Sequence, residues 1–441
     1  MSQTGVLDVR EFINERKMSS YQWWLVVLCF LIVAADGMDV AIMGFVAPSI
    51  IAQWGVSKPA FGLVMGAAPI GLAIGALLAG SSSDWFGRRK VLLASVTAFG
   101  LATLATAHAT NLQSMAILRF VTGLALGAAM PNASTLMSEY VPERIRSTVI
   151  AAMFTGFNLG SAAIGFAAAY ITPRYGWQAV LTFGGVMPLL LLPLLYFYLP
   201  ESARYLVVRQ APAERIRAVL ARVCRENLDR CQQFVLNEGP VAAKQPLGVL
   251  FSKGYTLRTI SLWLTYFMGL LVIYLSTSWL PTMMKDAGLS IDRASMLTAM
   301  FQLGGTVGGL LVGIAMDRIG AGRAISLSYL MGAVALVVLA ISGLTSEWIV
   351  LVILLTGFCL SGAQTGLNAY APGCYPTMAR ATGVSWMLGV GRLGSILGSA
   401  IGGFLLSTGW GFQAIFLTLA IPATIAALAI LGSRIRSAAT H

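Results

Sequence analysis

WWLVVLCFLIVAADGMDVAIMGFVAPSII, from Trp23 to Ile51, is the stretch on which the fold turns. It exceeds the ~20 apolar residues that cross a bilayer, and near its middle stand two carboxylates, Asp36 and Asp39. A carboxylate at the centre of a membrane helix costs roughly 2.5–3.5 kcal/mol on insertion scales, so it persists where it faces a protein interior or a water-filled cavity. Three residues apart, the two share a helix face. Of the 17 acidic residues, no other lies deep inside an apolar run, and Glu139 comes nearest, at the end of one. Arginines could neutralise the pair simply to fix helix packing. Like acids one turn apart are an awkward packing device, however, and proton handling is the expectation.

Composition agrees with a membrane protein. The chain of 441 residues is 57% hydrophobic and 10% charged, and its mean hydropathy is +0.79. That is a polytopic membrane protein rather than a soluble one. The 47 glycines suit helices that pack closely or bend within a membrane. A net charge of +12 would suggest nucleic acid in a soluble chain, but the bias of basic residues toward cytoplasmic loops explains it here. Cys29 and Cys359 lie in apolar runs and Cys224, Cys231 and Cys374 near segments assigned to the cytoplasm, which is no disulfide framework. With only His108 and His441, no metal spacing appears, and residues 1–21 lack the form of a signal peptide.

Apolar runs occur near 22–50, 60–80, 90–108, 112–137, 147–170 and 178–199, then near 258–282, 294–316, 324–343, 347–371, 381–406 and 411–432. An all-α membrane protein of twelve helices in two pseudo-symmetric six-helix halves is predicted. Its parts are an N-terminus over 1–21, a first half over 22–199, a central loop over 200–257, a second half over 258–432 and a C-terminus over 433–441. Of the 29 basic residues, Lys58, Arg174, Lys285 and Arg293 fall in loops on one side and Arg119 and Arg392 inside spans. The remainder fall on the side of the termini, which makes both termini and the central loop cytoplasmic.

A repeat joins the halves. With a shift of 234, Pro142 pairs with Pro376, Gly123 with Gly357, Arg146 with Arg380, and Leu159-Gly160-Ser161 with Leu393-Gly394-Ser395. With a shift of 233, Gly80, Asp84 and Gly87 match Gly313, Asp317 and Gly320. Internal repeats of this kind build alternating-access transporters, with the substrate near the midplane between halves. In the central loop, Ile216, Val219, Leu220 and Val223 recur at helical spacing among arginines. A solvated or membrane-surface helix joining the halves is expected there, with a partner-docking helix as the alternative.

These residues resemble the major facilitator superfamily. Gly80-Ser-Ser-Ser-Asp84-Trp-Phe-Gly87-Arg88-Arg89-Lys90 is a close match to its signature loop, and Gly313 to Arg323, including Asp317, is a second copy. The resemblance implies a conformational latch at Gly80, Asp84, Gly87, Arg88, Arg89, Asp317 and Arg323. Asp36-Gly37-Met38-Asp39, Arg119, Trp279-Leu280-Pro281 and Gly391-Arg392-Leu393-Gly394 resemble the aromatic acid:proton symporter family. Thr265 to Gly269 and Tyr274 to Pro281 look most like its 4-hydroxybenzoate/protocatechuate transporters. Pro200-Glu201-Ser202-Ala203-Arg204 resembles an element shared with sugar porters, with alanine where proline is common. What this implies is a proton-coupled importer of aromatic acid anions in a bacterial inner membrane, serving aromatic catabolism. It would act as a monomer, with no cofactor beyond the coupling proton and no nucleic-acid partner.

Arg392, midway along span eleven, keeps its charge and can grip a carboxylate through two parallel hydrogen bonds. Its repeat counterpart is Asn158; a structural role as partner of Asp36 or Asp39 stays open. Phe267, Leu271, Tyr274 and Ser278 form a stripe that can face an aromatic ring or merely pack. Gln302, Gln364 and Asn368 are polar groups within apolar runs, suited to a ring hydroxyl or to cross-linking helices. Arg119 and Glu139 fit charged positions of the family and are grouped with Asp36 and Asp39 as coupling residues. If the aspartates interact, they titrate as a pair. The rival readings are a sugar or drug carrier of the same fold, opposed by a span five without the Gly-Pro pair of drug antiporters, and a membrane sensor. An enzyme is not expected, since no nucleophile-base set, metal cluster or nucleotide loop appears.

Overall fold

The computed structural model describes residues 6–226, 228, 231, 233–236, 248, 250–252, 255–344, 347–375 and 377–432, without the side chains of 80, 81, 84, 147 and 377–381. Within these, 12 helices are long and apolar enough to cross a membrane. In chain order the spans are Ser20–Trp54, Lys58–Phe86, Arg88–Thr106, Leu112–Tyr140, Glu143–Tyr175, Trp177–Tyr198, Thr256–Asp286, Ile291–Ile319, Ala321–Ile341, Ile349–Tyr370, Thr377–Ser407 and Phe412–Gly432. Most run several residues past the apolar limits read from sequence. Backbone hydrogen bonding continues into the polar flanks, where hydropathy has already faded.

Local chemistry sets the helix ends. Span one opens on a capping box in which the Gln22 amide donates to Ser19 Oγ (3.1 Å) and the Ser19 amide donates to the Gln22 side chain (2.7 Å). Asn111 caps span four by accepting from the Ser114 amide at 2.8 Å. Between spans two and three the chain turns on Gly87 at φ 91°, and between spans eight and nine on Gly320 at φ 87°. Side chains avoid that region of backbone space, which explains why both copies of the loop carry glycine there.

Packing follows the repeat. Span one lies on five, two on four and three on six; correspondingly seven lies on eleven, eight on ten and nine on twelve. A Cβ at Gly123 would sit 2.0 Å from the Ala68 carbonyl oxygen, and one at Gly357 would sit 1.8 Å from that of Phe301. The same holds for Gly160 over Ala34 (1.9 Å) and Gly394 over Phe267 (2.3 Å). In each case both members are displaced by the repeat shift, so equivalent crossings in the two halves rest on equivalent glycines.

The halves meet through spans one with seven, two with eleven and five with eight. One apolar core joins the second half to Ala41–Ile50, Phe61, Ile164 and Trp177 of the first. The opposite end of the first half, carrying the N-terminus, has a separate core around Leu28, Leu92, Leu136 and Leu195. The bundle is therefore closed at the face away from the N-terminus. There Gly44 of span one abuts the Thr277 carbonyl of span seven, and Lys58 pairs with Asp286 at 2.5 Å.

The N-terminal face carries structure beyond the spans. Val6–Asp8 forms a short parallel ladder with Gln233–Val235 of the central loop, followed by a helix, Val9–Asn14, that buries Val9, Phe12 and Ile13. The central-loop helix Ala213–Cys224 buries Ile216, Leu220 and Val223 in that same core. This corrects the expectation of a solvated or membrane-surface helix: the apolar stripe docks on the chain's own first half, and Arg222 ties it down by donating to the Phe197 carbonyl at 2.7 Å.

Candidate functional site

The twin aspartates take different partners. Asp39 of span one receives a two-pronged contact from Arg119 of span four, 3.1 Å to Oδ1 and 2.9 Å to Oδ2, and the same guanidinium donates to the Asp39 carbonyl at 3.0 Å. Both side chains are 1% exposed. Thr103 of span three adds a short hydrogen bond to Asp39 Oδ1. Charge-assisted bidentate pairs are the strong ones, and this one locks spans one, three and four together inside the first half.

Asp36 is equally buried, yet its Oδ1 has no hydrogen-bond partner. The charge of Arg392, across the divide on span eleven, acts on it without closing to a contact pair. Arg392 also acts on Tyr266 and Tyr274 of span seven, and is itself half-buried. A narrow cleft between the halves, lined by Met43, Met65, Arg119, Tyr274, Ser278 and Ser399, shares Tyr274 with this group. One residue of a charged pair thus comes from each half.

Of the remaining expected residues, some join this region and others do not. Gln364 is buried and accepts from the Tyr329 hydroxyl at 2.5 Å, and Gln364 and the exposed Asn368 both approach the Tyr266 hydroxyl. Gln302 is spent on Thr277, its amide donating at 3.1 Å, which ties span eight to span seven. Asn158 is half-buried and faces Gly305 of span eight at the interface of the halves. The backbone carbonyls of Phe267 and Leu271 press against Gly394 and Gly398, and Tyr274 and Ser278 reach the cleft.

Glu139 stands apart, which corrects its grouping with the coupling residues. It lies 20 residues beyond Arg119 on the same helix, about 30 Å at ~1.5 Å per residue. There it accepts a short hydrogen bond from Ser202 and sits 3.8 Å from Arg88. Around it the signature loop docks on the segment after span six. Glu201 accepts from the Arg89 amide at 3.2 Å and the Ser202 amide at 2.9 Å, and a Cβ at Gly87 would strike the Glu201 carboxylate. Tyr140 donates to the Glu201 carbonyl at 2.5 Å. The side chain of Asp84 and the surroundings of Gly80 lie outside what the structure describes. In the second copy, Asp317 and Arg323 are exposed.

The sequence assigned no site role to Thr103 or Tyr329, nor to Tyr266 and Ser202, although both of the latter stand in stretches that carry the family resemblance. A threonine or tyrosine inside an apolar span carries no charge to mark it, so only the fold shows what it faces. For Tyr266 a signal existed, since it stands one helical turn before Gly269 in the stretch already singled out.

A twelve-helix bundle of two repeated halves, with charged groups buried where the halves meet, defines a secondary transporter. The chain belongs to the Major Facilitator Superfamily, whose model matches residues 29–290 and 262–440. It is 53% identical to the gallate transporter of Pseudomonas putida, over 97% of this chain and 95% of that one. It is 48% identical to the 4-hydroxybenzoate transporter PcaK of Pseudomonas aeruginosa, over 96% and 95%. Among solved structures it shares the fold of the xylose transporter XylE from E. coli, with a TM-score of 0.74 at 17% identity over 92% of this chain and 95% of that one. It is a multi-pass membrane transporter, not an enzyme.

Proposed function

We propose that the protein imports hydroxylated aromatic acid anions, such as gallate, 4-hydroxybenzoate or protocatechuate, by proton symport in a bacterial inner membrane. The N-terminal face then lies in the cytoplasm, as the distribution of basic residues favours, and the chain works as a monomer. The observation that carries this reading is Asp36: a buried carboxylate oxygen without a partner, under the influence of Arg392 from the other half. The names of the relatives support the substrate class.

The coupling follows from charge. While Asp36 is ionised it holds Arg392 electrostatically and leaves a net neutral site. A proton on Asp36 frees the guanidinium to take a carboxylate in its place, and the anion in turn stabilises the protonated state, which is the reciprocal linkage symport requires. With both charges neutralised, the halves can close around the site without sealing a bare ion in a dry cavity. Tyr274, beside Arg392, supplies aromatic surface for the ring.

The test is uptake of labelled 4-hydroxybenzoate or gallate by liposomes containing the purified protein, with and without an inward proton gradient. Wild type is expected to accumulate the acid only with the gradient, whereas Asp36→Asn abolishes gradient-driven accumulation and retains exchange of internal for external acid. Binding by wild type that never leads to accumulation would replace the symport reading with a sensor or facilitator.

A further inference from the structure

Gln364 is 7% exposed, and its amide is only half satisfied. The Tyr329 hydroxyl of span nine donates to Oε1 at 2.5 Å, which fixes the orientation of the group, while Nε2 has no acceptor among the described residues. Native structures leave few buried donors without a partner, and each asks for a reason. Span seven is shaped around this amide. A Cβ at Gly269 would lie 2.2 Å from both Gln364 Oε1 and the Tyr329 hydroxyl oxygen, so any side chain there would displace the pair. One turn away stands Tyr266, against whose ring Gly391, the neighbour of Arg392 in span eleven, packs so closely that a Cβ there would lie 2.0 Å from Cδ1. Gln364 and the segment that carries Arg392 thus border the same part of span seven.

We propose that Gln364 reads the ring hydroxyl: its Nε2 donates to the hydroxyl oxygen of an aromatic acid whose carboxylate is held by Arg392. Tyr329 is a positioning residue that holds the amide in the donating orientation, and Gly269 provides the room. This rests on the aromatic-acid reading of the same site and adds the basis of selection within that class. A site built to hydrogen-bond a substrate hydroxyl disfavours the analogue lacking it, because its own polar group is then left unpaired. Unsubstituted benzoate leaves Nε2 bare, whereas 4-hydroxybenzoate satisfies it.

The experiment measures KM for 4-hydroxybenzoate and for benzoate in the same proteoliposomes, so that the amount of inserted protein cancels in their ratio. Wild type is expected to favour the hydroxylated acid. Gln364→Leu lowers that preference by roughly 3- to 10-fold, the span of one net hydrogen bond. Tyr329→Phe, which keeps the ring and loses only the hydroxyl, lowers it by a smaller factor, and a merely structural tyrosine would leave the ratio alone. An unchanged ratio in Gln364→Leu overturns the proposal and makes Gln364 a tie between spans nine and ten. Uptake of both acids by wild type without preference also overturns it while leaving the aromatic-acid reading intact. If wild type accumulates neither acid, both fall.

Discussion

Asp36 and Asp39 are one turn apart and chemically alike, and their surroundings divide the work between them. Asp39 is fully engaged by Arg119 and Thr103 within one half, so its charge is a fixture of the first half. Asp36 keeps an oxygen in reserve and faces an arginine that belongs to the other half. Removing one partner of a buried ion pair costs about 3–5 kcal/mol, because the survivor is left charged and unpaired. Asp39→Asn is therefore expected to lower the melting temperature of the detergent-solubilised protein markedly. Asp39→Asn combined with Arg119→Gln should regain part of the loss, since no bare charge remains. If Asp39→Asn melts like wild type, the pair is not what holds spans one and four together.

Helix crossings in this bundle depend on missing side chains. Gly160 lets span five approach the Ala34 carbonyl of span one, and Gly394 does the same for span eleven against Phe267 of span seven. Because span one also carries Asp36 and Asp39, and span eleven carries Arg392, these crossings set the spacing of the charged groups. Gly160→Leu must push the spans apart, and overpacking of even a few methylenes costs typically 1–3 kcal/mol. Loss of uptake in inserted protein is expected for Gly160→Leu and for Gly394→Leu. By contrast Gly411→Ala, which adds a methyl to open space, should be neutral; similar uptake from all three would detach transport from helix spacing. This level was largely legible in the sequence, because hydropathy and a repeat survive translation into packing: the glycines paired by the shift of 234 do equivalent jobs. Partner choice was less legible. Nothing in Asp36-Gly37-Met38-Asp39 says which acid meets Arg119, and Glu139 shares a helix with Arg119 while lying about 30 Å away along it. Nor does the arginine-rich central loop announce that its apolar stripe folds back onto the first half, since an amphipathic pattern specifies a face and not what covers it.

At the scale of the whole molecule, the halves share a core, among the described residues, only away from the N-terminal face. The transport cycle proposed above requires that this closure be reversible, so it must rest on contacts weak enough to break. Lys58 at the start of span two and Asp286 at the end of span seven fit that need: they bridge the halves, and their side chains are 29% and 40% exposed. Partly exposed ion pairs contribute about 0.2–1 kcal/mol, enough to shift a two-state balance by up to about fivefold without locking it. Lys58→Asp sets two like charges against each other and should open this face more often. Ser278, which lines the cleft, offers a reporter. In a cysteine-free background carrying Ser278→Cys, Lys58→Asp should speed labelling by a membrane-impermeant thiol reagent added from the face opposite the N-terminus. Adding Asp286→Lys, which restores an opposite-charge pair in reverse, should return the rate toward the parent. Labelling that ignores both substitutions would assign the closure to the apolar core alone, and the ion pair would then be a bystander of packing between spans one, two, seven and eleven.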